Sequence, residues 1–146
     1  MLKGIDPLLN ADLLYVLRAM GHGDDLVIAD ANFPSETMAT RKLIRMDAAD
    51  GPRVLKAVLS VMPLDDFVPD PALRIAVVGD ESSMPEVCAE YGTLVSEASK
   101  GKVQLGQIER FAFYERSKKA FAVIATGETR LYGCILLKKG VIRPGE

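Results

Sequence analysis

Gly21-His22-Gly23-Asp24-Asp25-Leu26-Val27-Ile28-Ala29-Asp30-Ala31-Asn32-Phe33-Pro34 is the stretch on which the reading of this chain turns. Leu26, Val27, Ile28 and Ala29 form a short apolar run bounded by charge, the pattern of a strand buried on both faces. Upstream, Leu9, Leu13, Val16, Leu17 and Met20 recur at helical spacing. Residues 8–20 are therefore predicted helical, with Asn10 or Asp12 as cap and Gly21 as the stop. His22 is the single histidine of the chain. It sits between two glycines, whose backbone freedom suits presentation of the ring at an opening. Asp30 closes the far end of the strand. Imidazole titrates near neutral pH, so His22 and Asp30 form a candidate acid–base pair. The same residues read equally as a helix stop with a turn, and as a turn aspartate ahead of Asn32.

Outward from this stretch, helices and strands alternate. Asn32-Phe33-Pro34-Ser35 reads as a turn and residues 41–46 as a second strand. Asp50-Gly51-Pro52 opens a helix through Met62, with Pro52 suited to a first turn. Residues 65–70 are a loop, and 73–78 a third buried strand. Gly79 to Ser83 turn into a helix near 84–98, and 100–106 read as a loop. Residues 110–116 fit both periods; helix is preferred because Lys118 and Lys119 then lie near its C-terminus, where cations suit the dipole. Residues 121–125 and 131–137 read as strands joined by a tight connection at Thr126-Gly127-Glu128-Thr129. In the last strand Tyr132 and Cys134, two apart, share a face. The interleaving predicts one α/β domain over residues 1–146, with a mainly parallel or mixed sheet flanked by helices.

Composition narrows the function. The chain has 146 residues, 49% hydrophobic and 26% charged, with net charge −2. That balance offers no electrostatic case for nucleic acid or an anionic membrane. No apolar run approaches the roughly 20 residues of a membrane span. The N-terminus lacks the apolar core and cleavage site of a signal peptide. Cys88 and Cys134 show no metal spacing and read as two reduced thiols, so the expected compartment is the cytoplasm.

Gly21-His22-Gly23 lacks the third glycine and the strand-to-helix context of a dinucleotide cradle. His22, Asp24, Asp25 and Asp30 offer metal-type ligands, but no second histidine or cysteine supports them, so no metal is expected. Asp30, at the end of a strand, lies where α/β sheets gather their ligands. Tyr132 offers a hydroxyl to a ligand or packs with it satisfied. Arg110 clamps a polar ligand or stays solvated. Lys138-Lys139 reads as a solvated strand end.

Several motifs now add up. Met1-Leu2-Lys3-Gly4-Ile5, Met20-Gly21-His22-Gly23-Asp24, Asp30-Ala31-Asn32-Phe33-Pro34 and Arg110-Phe111-Ala112-Phe113-Tyr114-Glu115-Arg116 are followed by Thr126-Gly127-Glu128, Tyr132-Gly133 and Leu136-Leu137-Lys138-Lys139-Gly140-Val141. In this order the chain resembles the ribose pyranase / fucose mutarotase family, most closely its L-fucose mutarotase branch. Residues 41–106 match less distinctly. The resemblance implies an RbsD-like fold and a cofactor-free isomerase that interconverts the anomers of a monosaccharide. It implies His22 as catalytic acid and Asp30 as a sugar ligand. Arg110 falls where the fucose branch has arginine and the ribose branch histidine. Tyr132, Gly133 and Cys134 fall on the last sugar-binding stretch, usually Tyr-Gly-Asn. Cys134 departs from that pattern, since a thiol is a poorer hydrogen-bonding group than an amide. The resemblance also implies a ring-shaped homo-oligomer, typically a decamer, with sites near subunit contacts.

The residues suit that chemistry. Anomerisation protonates the ring oxygen, removes a proton from the anomeric hydroxyl, and recloses the ring after the aldehyde rotates. One positioned proton carrier contributes about 10²–10⁴-fold. His22 as acid/base, oriented by Asp30 or another carboxylate, with Tyr132 beside the sugar, meets the requirement. The competing readings are a non-catalytic sugar-binding protein of the same fold, a mutarotase or pyranase for another sugar such as ribose, and a purely structural module.

Overall fold

The apolar alternation of Leu26-Val27-Ile28-Ala29 has a direct structural meaning. In the computed structural model of the chain, which describes residues 1–145, these four side chains enter two apolar layers in turn. In chain order the elements are α1 (Ala11–Ala19), β1 (Asp25–Ala29), α2 (Ser35–Met38), β2 (Leu43–Met46), α3 (Gly51–Leu59) and β3 (Ala72–Ile75). These are followed by α4 (Glu86–Ala98), β4 (Gly106–Ile108), α5 (Arg110–Lys119), β5 (Ala122–Thr126) and β6 (Ile135–Lys138). The strands form one six-stranded sheet in the order β2-β5-β1-β6-β3-β4. β1, β2 and β5 run parallel, as do β3 and β4, and β6 lies antiparallel between β1 and β3.

Leu26 and Ile28 of β1, Ala122 and Ile124 of β5, and Ile135 and Leu137 of β6 join the layer formed with α1, α3 and α4. Val27, Ala29, Val123 and Leu136 face the other way, against Phe33, Met38 and Phe113 around α2 and α5. Full burial of each large aliphatic side chain contributes roughly 1.5–3 kcal/mol. The helix starts are set locally. Asn10 accepts the Leu13 N–H at 2.9 Å, Asp50 accepts the Arg53 N–H at 2.8 Å, and Glu109 accepts the Ala112 N–H at 3.0 Å. Each side chain satisfies a first-turn donor that the helix itself leaves unpaired.

Four expectations are corrected. The stretch read as a loop over 100–106 ends in β4, a three-residue edge strand too short to show a period. The turn at residues 32–35 leads into a single helical turn, α2. The segment at Thr126 to Thr129 is no tight hairpin, because β1 lies between β5 and β6 and the chain must cross it. The last strand begins at Ile135, not at residue 131. Tyr132 has φ 62°, in the left-handed region, and so breaks any strand that would put Tyr132 and Cys134 on one face.

Gly140 follows β6 and donates its N–H to the Pro63 carbonyl at 2.9 Å. A Cβ there would meet the Leu64 carbonyl carbon at 2.6 Å and the Asp65 Cα at 2.9 Å, all backbone. Gly140→Ala should therefore lower stability by about 1–3 kcal/mol. Urea unfolding should show a reduced midpoint at unchanged slope, and an unshifted midpoint would mean that the 63–65 segment yields freely.

Candidate active site

Strand direction brings several loops to one edge of the sheet. The chain leaves β1 at Asp30, β3 towards Val78 and β4 towards Arg110. Because β6 is antiparallel, the segment entering it, Tyr132-Gly133-Cys134, arrives at the same edge. Asp30, Asn32, Arg110, Tyr114, Tyr132 and Cys134 line a cavity of about 200 Å³ there, with Phe33 and Val78 among its apolar walls. The carboxyl ends of the strands are where open α/β sheets bind ligands. Four residues expected from sequence to handle substrate thus meet in one place.

Asp30 is buried at 7% exposure and held from several sides. Its Oδ1 accepts the N–H groups of Asn32 at 2.9 Å and Phe33 at 3.0 Å. Its Oδ2 accepts the Cys134 thiol at 3.4 Å, and its own N–H donates to the same sulfur at 3.4 Å. Burial, reinforced by the Asp30 carboxylate, pushes the Cys134 thiol well above its ordinary range. Cys134 is therefore a neutral donor that fixes Asp30. The Tyr132 hydroxyl accepts the Val78 N–H at 3.2 Å, and its carbonyl accepts the Cys88 thiol at 3.4 Å. The Gly133 carbonyl accepts the Tyr91 hydroxyl at 2.8 Å. Burial pushes the Tyr91 hydroxyl far above its ordinary range, so it stays a donor. Arg110, exposed, opens α5 with its guanidinium 4.6 Å from the Phe111 ring centroid.

Beside this cavity lies an ion pair of a buried carboxylate and a half-exposed guanidinium. Glu128 is 3% exposed. Its Oε1 accepts the N–H and Nε of Arg130, each at 2.9 Å, and its Oε2 accepts Nη2 at 2.9 Å. Hydrogen bonding from the Arg130 side chain lowers the Glu128 carboxyl from 4.5 to about 2.

His22 lies at the opposite edge, before β1. Its Nε2 is 3.0 Å from Asp65 Oδ1, and the side chains are 44% and 3% exposed. Phe67 packs on the imidazole, with ring centroids 5.1 Å apart. Asp65 Oδ1 also accepts the Phe67 N–H at 3.1 Å, and the Asp65 N–H donates to the Lys138 carbonyl at 3.0 Å. The expected pairing of His22 with Asp30 is corrected within one chain: the five residues of β1 separate them, on the order of 17 Å at about 3.3 Å per residue. The carboxylate that orients His22 is Asp65. Nothing in the sequence marks Asp65, because a contact across 43 positions leaves no local pattern. Asn32 and Tyr114 stand inside the motifs of Asp30 and Arg110 and read there as turn and helix residues, since spacing alone does not show which side chains face the cavity.

Lys138 and Lys139 are also corrected, from a solvated strand end to half-buried braces of the His22 turn. Lys138 donates to the Gly23 carbonyl at 2.9 Å and to Asp25 at 2.8 Å. Lys139 donates to the carbonyls of Leu17 at 2.7 Å and Met20 at 2.6 Å, closing α1. Among the described residues, no group of three or more His, Cys, Asp or Glu is placed to hold a metal ion. No helix among them is long and apolar enough to cross a membrane.

Comparison with known proteins gives one direction. A model of the RbsD / FucU transport protein family matches residues 3–142. The chain is 47% identical to the fucose mutarotase of Bos taurus, covering 99% of this chain and 97% of that protein. It is 40% identical to the L-fucose mutarotase of Histophilus somni (strain 2336), covering 97% of each. The crystal structure of the fucose mutarotase from Streptococcus pneumoniae in complex with L-fucose superposes with a TM-score of 0.88. The identity there is 42%, over 97% of this chain and all of that one (100%).

The Glu128–Arg130 pair carries a pH signature. A carboxyl lowered from 4.5 to about 2 on folding contributes stability that is fully present above its unfolded value and is lost as pH falls through the folded one. The difference in unfolding free energy between the native chain and Glu128→Gln should be constant above about pH 5 and shrink towards pH 2. Urea titrations across that range measure it; a pH-independent difference would assign the stabilisation to packing alone.

Proposed function

The chain belongs to the RbsD/FucU family, and from that premise we propose that it is an L-fucose mutarotase, an isomerase that interconverts the α and β anomers of the sugar. The observation that carries this reading is the cavity that gathers Asp30, Arg110, Tyr132 and Cys134 at the carboxyl edge of the sheet. These are the residues that the family pattern assigns to the sugar. Its charged and hydroxyl groups suit a neutral polyol: Asp30 accepts from sugar hydroxyls, and Arg110 and Tyr132 donate to sugar oxygens. Gly133 lets the chain pass close, since a Cβ there would lie 2.6 Å from Glu128 Cγ and 3.1 Å from Asp30 Cβ.

In this reading His22 is the proton carrier. It gives a proton to the ring oxygen as the C1–O5 bond breaks, while the anomeric hydroxyl passes its own through Tyr132 to water. Rotation about C1–C2 and addition of the ring oxygen to the other face of the aldehyde return both protons. Asp65 holds the imidazole in orientation. Tyr132 stands beside the sugar and relays a proton. No cofactor enters these steps.

One chain does not bring His22 to its own Asp30. The reading therefore places the sugar between subunits, with His22 of one copy entering the Asp30 cavity of the next. Exposed apolar side chains stand at both edges, Phe67 beside His22 and Val78 and Leu131 around the cavity. Such a head-to-tail contact gives a ring where its rotation closes, and a closed ring is the arrangement we propose. A cytoplasmic homodecamer built of such rings is the assembly we propose.

Saturation-transfer NMR on equilibrated L-fucose tests the activity. The protein should speed exchange between the anomer signals. His22→Ala should slow it by about 10²–10⁴-fold, and Arg110→Ala should raise KM by about tenfold. Silence on L-fucose, with exchange on ribose or galactose, would move the substrate. Silence on all of them would leave a binding protein.

The shared site has its own test. His22→Ala and Asp30→Ala proteins, each inactive, should regain about a quarter of native activity when unfolded together and reassembled, because a ring contact can unite one intact half from each. A mixture that stays inactive, or a monomer by light scattering, would reject the composite site.

A further inference from the structure

Thr126-Gly127-Glu128 stands out in the sequence and touches no substrate in the mechanism above. It crosses from the end of β5 over the end of β1, towards the loop that enters β6. Its contacts reach both halves of the sugar cavity. The Thr126 hydroxyl donates to the Ala29 carbonyl at 2.8 Å and accepts the Glu128 N–H at 3.2 Å. The Glu128 carbonyl accepts the Ala31 N–H at 2.8 Å, in the turn that follows Asp30. The Glu128 side chain fills the space above Gly133 that a Cβ would occupy. Its carboxylate holds Arg130, whose Nη1 extends to Glu90 of α4 at 2.6 Å.

Helix α4 grips the same segment at neighbouring points. Cys88 donates to the Tyr132 carbonyl, Glu90 accepts from Arg130, and Tyr91 donates to the Gly133 carbonyl. At the centre of this grip is Tyr132, with φ 62°. A left-handed conformation is strained for a non-glycine residue, and it persists only where the surroundings over-determine it. Glu128 is a buried charge whose partner Arg130 stays partly exposed, and for stability alone apolar residues of similar volume often do as well as a buried charge. Two loops that must present polar groups to one small ligand do require fixed geometry, because small misplacements at a site are costly.

We infer that Glu128, acting through Arg130, is a positioning residue for substrate recognition: it locks the Tyr132-Gly133-Cys134 segment against the Asp30 turn and so sets the spacing of the sugar-binding groups. This rests on the reading of that cavity as the sugar site. Without the carboxylate, Arg130 is tied to α4 only through Glu90, and the strained segment relaxes away from Asp30. His22 and Asp65, at the opposite sheet edge, are untouched. The loss therefore falls mainly on binding, which both the ground and transition states share, with a smaller loss in kcat where Tyr132 relays a proton.

The test compares the native assembly with Glu128→Gln, Arg130→Lys and Glu90→Gln by L-fucose exchange kinetics, together with NMR of ¹³C-tyrosine-labelled protein. The Tyr132 resonance is assigned by its absence in Tyr132→Phe. Glu128→Gln should raise KM by about tenfold with kcat within about threefold, and should shift the Tyr132 resonance. Arg130→Lys, which keeps the charge but loses the two-pronged contact, should raise KM by less than Glu128→Gln. Glu90→Gln, at the exposed end of the pair, should raise KM by about two- to threefold and decides the matter if Glu128→Gln does not fold. A folded Glu128→Gln assembly with native KM and an unmoved Tyr132 resonance would overturn the inference, as would a fall in kcat at native KM. If the native protein itself leaves L-fucose exchange unchanged, the proposed activity fails; the tyrosine resonance then decides whether Glu128 positions the segment.

Discussion

The burial of β1 on both faces is the constraint from which both edges of the sheet take their form. Leu26 and Ile28 anchor it to one helical layer, Val27 and Ala29 to the other. Its position between β5 and β6 follows from that apolar content, since the middle of the sheet is where both faces are covered. Once β1 is central, Asp30 must emerge at the carboxyl edge and His22 at the amino edge. No side-chain rotation brings them together. His22 and Asp30 stand at opposite ends of one buried strand, and this separation is the physical ground for the proposal that the active centre is shared between copies.

The antiparallel insertion of β6 has a second consequence. In a wholly parallel sheet the segment before β6 would lie beside His22. Reversing this strand sends Tyr132, Gly133 and Cys134 to join Asp30 and Arg110. It also sends Lys138 and Lys139 to the His22 edge, where they brace the glycine turn through the carbonyls of Gly23, Leu17 and Met20. One strand reversal thus shapes both edges of the sheet.

Cys134 illustrates how a substitution in a site can change a contact without emptying it. A thiol makes weaker hydrogen bonds than the amide of the family pattern. Here it both donates to Asp30 and accepts from the Asp30 backbone, so the position still serves the carboxylate proposed to meet the sugar. The cost is directed at the orientation of Asp30.

Local pattern by itself determined a good deal. The helical stripe before Gly21, the apolar run at Leu26 to Ala29 and the interleaving of elements specified an α/β domain, because side-chain burial imposes its period on neighbouring residues. The motifs at His22, Asp30, Arg110 and Tyr132 carried the family and its chemistry, because the residue types a reaction demands are visible wherever they stand in the chain. Tertiary structure alone decided the rest. β4 is too short to hold a period, and the reversal of β6 is a matter of pairing with strands that lie far away in sequence. The left-handed turn at Tyr132 depends on a grip from α4, some 40 residues earlier. The choice of Asp65 over Asp30 as the partner of His22 depends on which end of β1 each residue occupies and what packs beside it. Such contacts are set by the summed packing of many elements, and no short window of sequence contains that sum.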